Sequence, residues 1–223
     1  MENLKKYIFT LKQNDLFFED SEEEILESLK VLDAEFASYS KGDILHRTGK
    51  PILKFGLVVY GCVEVLTNDI EGNAAIMAYV TPGITFGESL CVLKKQDPDI
   101  YIVANEDSGI VWLSADKFFS ETTSSLIIKL EKRFVKMIAK RTLSMNNRIQ
   151  ILSKLTLREK IITYFTFLSQ NQKSDRIEIP FNREDMAIYF GTNRSALSRE
   201  ISKMRKEGLI DFSKNKFLLN FKK

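Results

Sequence analysis

The chain has 223 residues, 44% of them hydrophobic and 28% charged, with a formal net charge of +3 at pH 7. That is enough apolar material for one large packed domain or two modest ones, and no apolar run of about 18 residues is present, so no membrane span is expected. Its two cysteines, Cys62 and Cys91, make neither a disulfide framework nor a four-thiolate zinc or iron–sulfur site.

The opening stretch MENLKKYIFTLKQNDLFFED has no sustained apolar core and does not read as a signal peptide, so a cytoplasmic protein is expected. SEEEILESLKV over residues 21–31 predicts a short helix, with Ser21 and Glu24 spaced as a capping box. From Asp33 to about Leu113 short segments rich in Val, Ile, Tyr and Phe alternate with turns holding Gly, Pro, Asn or Asp. This pattern predicts an antiparallel β-sandwich or barrel. Near Thr122 the period changes, and a helix of roughly thirty residues is predicted to about Ser153. Leu126, Leu130, Phe134, Met137, Ile138 and Met145 recur at three- and four-residue steps and define a candidate dimer seam. Burial of the same helix against its own β-domain is the alternative.

Thr156 and Glu159 form a second capping box ahead of the helix KIITYFTFLSQN. QKSDRIEIPF reads as a polar turn and a short strand. Asn182 can cap a helix that ends at Gly191, and Thr192 or Asn193 can cap the next helix, which reaches Glu207. Two short strands around a turn at Ser213–Asn215 follow. Charge divides along the same line: residues 1–128 carry 11 basic and 21 acidic side chains, residues 129–223 carry 22 and 9. An acidic front and a basic back suggest a polyanion for the back half.

A helix, a tight glycine turn and a second helix predict a helix-turn-helix. On a wheel of 100° per residue, Leu197, Ile201 and Met204 form the buried stripe of the second helix, while Ser195, Arg199, Ser202 and Lys206 lie opposite and Arg194 sits in the first turn. A guanidinium can give two parallel hydrogen bonds to guanine O6 and N7 in the major groove. The candidate DNA-binding set is Thr192, Asn193, Arg194, Ser195, Ser198, Arg199, Ser202, Lys203 and Lys206 on that helix. Arg183 is added for backbone phosphate, and Lys214 and Lys216 for a wing.

In this order the pieces KGDILHRTG, FGLVVYGCVEV, YVTPGITFGES, IVANEDSGIVWLSADKFF and NREDMAIYFGTNRSALSREISKMRKEGLI resemble the Crp/Fnr superfamily of bacterial transcription regulators, over roughly residues 25–221. The resemblance implies an α+β chain: an effector-sensing β-roll over 1–121, a dimerisation helix over 122–154 and a winged helix-turn-helix over 155–223. It also implies a homodimer on a two-fold symmetric double-stranded DNA site, with RNA polymerase a further partner of an activator. Arg194, Ser195 and Arg199 match the base-reading positions. The middle one is often Glu in the family, so the preferred half-site is expected to differ.

The effector pocket implied by the resemblance falls on Gly87, Glu88, Ser89, Pro98, Asp99, Met145 and Asn146. Gly87-Glu88-Ser89 match the start of the phosphate-binding cassette of cyclic-AMP-binding members. Pro98 and Asp99 stand where its Arg and small hydroxylated residue would be, so a phosphate would meet a carboxylate and no cation. Cyclic AMP in the usual mode is therefore not expected, and Glu88 is expected to be a structural acceptor. Two cysteines are too few for the family's iron–sulfur cluster, and His46 alone, in the first β-hairpin, reads as an ordinary histidine, so neither cluster nor haem is expected. No nucleophile–base pair or metal-ligand spacing points to an enzyme. The competing function is a β-roll sensory module that regulates a protein partner, with the basic half as its docking surface.

Overall fold

The computed structural model describes residues 2–221 except 69–73, 96, 98, 120–123 and 180–181. The chain forms two compact units, residues 1–138 and 139–223. The boundary lies inside the long helix rather than at either of its ends.

In the first unit two short helices, α1 (Glu2–Lys5) and α2 (Ile8–Leu11), precede α3 (Glu22–Val31). The capping box at the start of α3 is formed: Ser21 Oγ accepts from Glu24 N at 3.2 Å and Glu24 Oε2 accepts from Ser21 N at 2.8 Å. Then come β1 (Glu35–Tyr39), β2 (Ile44–His46), β3 (Phe55–Tyr60), β4 (Val63–Asn68), β5 (Ala74–Val80), β6 (Thr85–Phe86), α4 (Glu88–Leu93), β7 (Ile100–Ala104) and β8 (Ser108–Leu113). They make two four-stranded antiparallel sheets, in the orders β1-β8-β3-β6 and β2-β7-β4-β5. Two glycines lie inside strands because a neighbouring ring takes the space of a Cβ: Phe86 over Gly56 and Tyr60 over Gly109. The core of this unit also takes in Leu4, Leu11, Leu16 and Phe17 from the first twenty residues.

Helix α5 spans Ser125–Leu152. Its inner face corrects the expected dimer seam. Leu130, Phe134 and Met137 are 0%, 5% and 6% exposed and belong to the core of the chain's own β-domain. The Phe134 ring lies 5.6 Å from Phe55 and 4.9 Å from Phe118. Leu126 and Ile138 pack partly against the same core, and only Met145 of the expected set is well exposed. The physical reason is that α5 carries two apolar stripes. The second, stepping by three and four residues through Val135, Ile138, Thr142, Met145, Ile149 and Leu152, keeps the period of a coiled-coil seam. Val135, Met145 and Ile149 on it are 60%, 60% and 63% exposed. Part of the basic face is likewise committed, since Lys129 and Arg133 each reach the buried Asp20 carboxylate at 2.6 Å.

In the second unit α6 (Leu157–Gln172) starts on a formed Thr156–Glu159 capping box. It is followed by β9 (Arg176–Glu178), α7 (Arg183–Phe190), α8 (Arg194–Lys206), β10 (Ile210–Ser213) and β11 (Lys216–Leu219). The strands pair as β10-β11-β9. Helix α6 supplies Ile161, Tyr164 and Phe165 to a core completed by Met186, Phe190, Leu197, Ile201, Met204 and Phe217.

Candidate nucleic-acid interface

Asn182 Oδ1 accepts from the backbone N–H of Glu184 and Asp185, at 2.8 and 2.9 Å, and fixes the start of α7. Gly191 ends α7 at φ 65° and ψ 43°, a left-handed conformation that suits glycine. Two residues later Asn193 Oδ1 accepts from Ala196 N at 2.8 Å and starts α8. Of the two expected caps Asn193 is the one used, so its Oδ1 is engaged within the fold, while Thr192 is half-buried in the turn.

Leu197, Ile201 and Met204 are buried, and the opposite face holds Arg194, Ser195, Arg199, Ser202, Lys203 and Lys206 in solvent, with Ser198 half-buried beside them. Arg194 comes within 3.8 Å of Glu184, an exposed contact too loose to commit it. Glu200 of α8 and Glu207 at its C-terminal cap are committed elsewhere. Arg158 Nε donates to Glu200 at 2.6 Å, and its Nη1 and Nη2 donate to Glu207 at 2.6 and 3.0 Å. Glu207 and then Glu200 hold Arg158 protonated above its ordinary range, and Arg158 in turn holds Glu207 below the usual carboxylate range. Sequence reasoning did not single out Arg158. Its signal was the pair of acids on α8 and its C-terminal cap in need of a cation, but the pairing spans more than forty residues of sequence.

Arg183, expected to reach phosphate, makes contacts within the fold. Its guanidinium lies 5.1 Å from the Phe212 ring and 4.8 Å from Phe217, and Nη2 donates to the Lys214 carbonyl at 3.3 Å. It ties the start of α7 to the turn between β10 and β11, and burial lowers the pKa of its guanidinium. Lys214, at φ 54°, and Lys216 are exposed at that turn.

In the first unit Gly87 starts α4 at φ 79° and Glu88 is 2% exposed. Glu88 and Ser89 line an apolar cleft of about 330 Å³ with Val92, Leu93, Phe119, Phe134, Val135 and Ile138, and no cation is among the described lining residues. Asp99 is exposed, its N–H donating to Asp97 Oδ1 at 3.0 Å. Pro98 lies outside the described residues. Met145 and Asn146 are exposed and belong to the second unit. Among the described residues no cluster of His, Cys, Asp or Glu could hold a metal ion, and no helix is long and apolar enough to cross a membrane.

A β-roll joined by a long helix to a winged helix-turn-helix defines the class of one-chain transcription regulators. Residues 36–124 match the cyclic nucleotide-binding domain and residues 159–223 the Crp-like helix-turn-helix domain. The chain belongs to the Crp/Fnr superfamily, with a cyclic-nucleotide-binding-type sensor domain and a DNA-binding domain. It is 21% identical to electron transport regulator A of Shewanella oneidensis over 216 residues, covering 95% of this chain and 80% of that one. Two solved structures share its fold. The catabolite activator protein of Thermus thermophilus has a TM-score of 0.52 at 20% identity, over 93% of this chain and 94% of that one. The c-di-GMP-responsive global regulator CLP of Xanthomonas campestris has a TM-score of 0.55 at 16% identity, over 91% and 100%.

Proposed function

We propose that the chain acts as a homodimeric, sequence-specific DNA-binding regulator that reads a two-fold symmetric site, and that its effector is not cyclic AMP held in the usual way. One observation carries the DNA reading. Arg194 and Arg199 stand in solvent on a helix whose Glu200, and Glu207 at its C-terminal cap, are held by Arg158, so the face that meets a groove is cationic. Ser195 and Ser202 leave room for close approach, and Lys203, Lys206, Lys214 and Lys216 suit flanking phosphates. The dimer is assigned to the outer stripe of α5 from Val135 to Leu152, because its period of three and four and its exposed apolar side chains fit a partner helix. The effector reading is supported by the cleft beside Glu88, which offers no cation among its described lining residues.

Selection of fragmented genomic DNA on the purified protein, without added effector and at two salt concentrations, tests this directly. Enrichment of one palindromic motif that survives the higher salt is expected. Unselective binding that collapses with salt would mean phosphate contacts alone. On the enriched site, Arg199→Ala is expected to cost about 1–3 kcal/mol per half-site and to relax base choice at one position of each half-site. Unchanged affinity and preference would remove Arg199 from the reading set.

A further inference from the structure

A cavity of about 510 Å³ in the β-domain is not the one expected to take a nucleotide. It is lined by β1, by β8 at Trp112, by β2 at Leu45 and His46, and by residues 51–54; neither Gly87–Ser89 nor Asp99 touches it. The register Glu35↔Trp112 and Ala37↔Ile110 puts Glu35, Ala37, Tyr39 and Trp112 on one face of their sheet, and His46 belongs to the other sheet, opposite Ile102. The size is that of a small-molecule site, and such sites are mostly apolar with a few placed polar groups.

Three features define the occupant. Trp112 and Tyr39 supply aromatic walls, joined by a hydrogen bond from Trp112 Nε1 to the Tyr39 hydroxyl at 3.0 Å. That bond uses the Tyr39 oxygen as an acceptor and leaves its O–H to donate. His46 Nε2 is buried without a hydrogen-bond partner among the described residues, an arrangement that costs free energy until something binds it. The charged groups at the rim cancel: Lys54 Nζ donates to Glu35 Oε1 and to the Asp33 carbonyl, both at 2.7 Å. Burial lowers the pKa of His46, so its ring is neutral at pH 7. No bare charge awaits a charged ligand.

We infer that this cavity is a binding site for a small uncharged aromatic molecule bearing one hydrogen-bonding group, with the ring against Trp112 and Tyr39 and the polar group on His46 Nε2 and the Tyr39 hydroxyl. The site stands apart from the DNA-binding reading, because occupancy is measured with no DNA present.

The cavity holds the chain's one tryptophan and its one histidine, so each gives a single signal. Full-length protein labelled with ¹⁵N-histidine is titrated with benzyl alcohol, benzamide and toluene, following Trp112 emission and the imidazole nitrogen resonances. Benzyl alcohol and benzamide are expected to saturate both reporters with one shared Kd. Toluene, which has the ring but no polar group, is expected to bind about three- to tenfold more weakly, the worth of one net hydrogen bond. His46→Leu should erase that difference. Leu53, exposed on the cavity wall, gives a second variant outside the packed core, and Leu53→Asp should weaken all three probes. Linear, non-saturating responses, as from a cavity that takes only water, would overturn the inference. So would toluene binding as tightly as the other two, or a saturable Trp112 signal with an unmoved His46 resonance.

Discussion

Arg183 separates two meanings of a basic side chain near DNA. Its guanidinium is spent on Phe212, Phe217 and the Lys214 carbonyl, where a planar group stacks well and a compact ammonium does not. Arg183→Lys keeps the charge and loses the stacking. If Arg183 positions the wing, Arg183→Lys and Arg183→Ala should weaken DNA binding to a similar degree and leave the slope of log K against log salt unchanged. If it neutralises a phosphate, Arg183→Lys should behave as the parent and Arg183→Ala, which removes one contact from each protomer of the dimer, should reduce the slope by about 1.8. A titration of binding against salt for the three proteins decides it. His46 carries a pH prediction at the same scale. Burial lowers its folded pKa below the ordinary 6.5, so the unfolded chain takes up the proton more readily. The folded state is therefore penalised as pH falls below about 6.5, and the penalty disappears above it. Urea midpoints between pH 5 and pH 7.5 should rise with pH in the parent and rise less in His46→Leu.

Helix α5 makes the same distinction for a whole element. Its inner stripe is core and its outer stripe is apolar surface, so substitutions on the two should fail differently. Leu130→Ala should cost about 2–5 kcal/mol of stability, as large-to-small core changes do. Ile149→Glu should leave the fold and its melting intact and shift sedimentation from dimer to monomer at micromolar concentration. A stable dimer in Ile149→Glu would take the seam away from this stripe. What was legible in the sequence follows the same physics. The helix ends at Ser21, Thr156, Asn182 and Gly191 were readable because capping is local chemistry within a few residues. The inward face of α8 was readable from period alone, since a single apolar stripe leaves one choice. On α5 period alone was ambiguous: Leu130 and Phe134 face inward because Phe55 and Phe118 wait there, and nothing local says so. Arg158, and the contacts that Arg183 makes within the fold, were not legible for the same reason, their partners being distant in sequence. The first twenty residues were passed over because helices of four residues give no period, although Leu11, Leu16 and Phe17 are fully buried.

At the scale of the whole molecule the chain has two apolar cores. One is built on Phe17, Phe55, Leu57 and Leu113, the other on Phe165, Phe190, Leu197 and Met204. Each unit therefore gains its hydrophobic stabilisation from its own residues, and the long helix is the covalent link through which both continue. A single two-state transition is the wrong expectation for such a chain. The lone tryptophan, Trp112, lies in the first unit and reports on it alone, whereas far-ultraviolet circular dichroism sees helices in both. Phe165 is fully buried in the second core, and Phe165→Ala should cost that unit about 3–5 kcal/mol. In a urea titration the variant should lose part of its helical signal early while the Trp112 transition stays at the parent midpoint. Phe17→Ala should do the reverse, moving the Trp112 transition and sparing the late helical phase. If both probes move together in both variants, the two cores unfold as one cooperative unit. The stability of the DNA-binding half would then be set in part by residues of the sensor half, a coupling that would let occupancy of the sensor change the folded population of α7 and α8 without a direct contact to either.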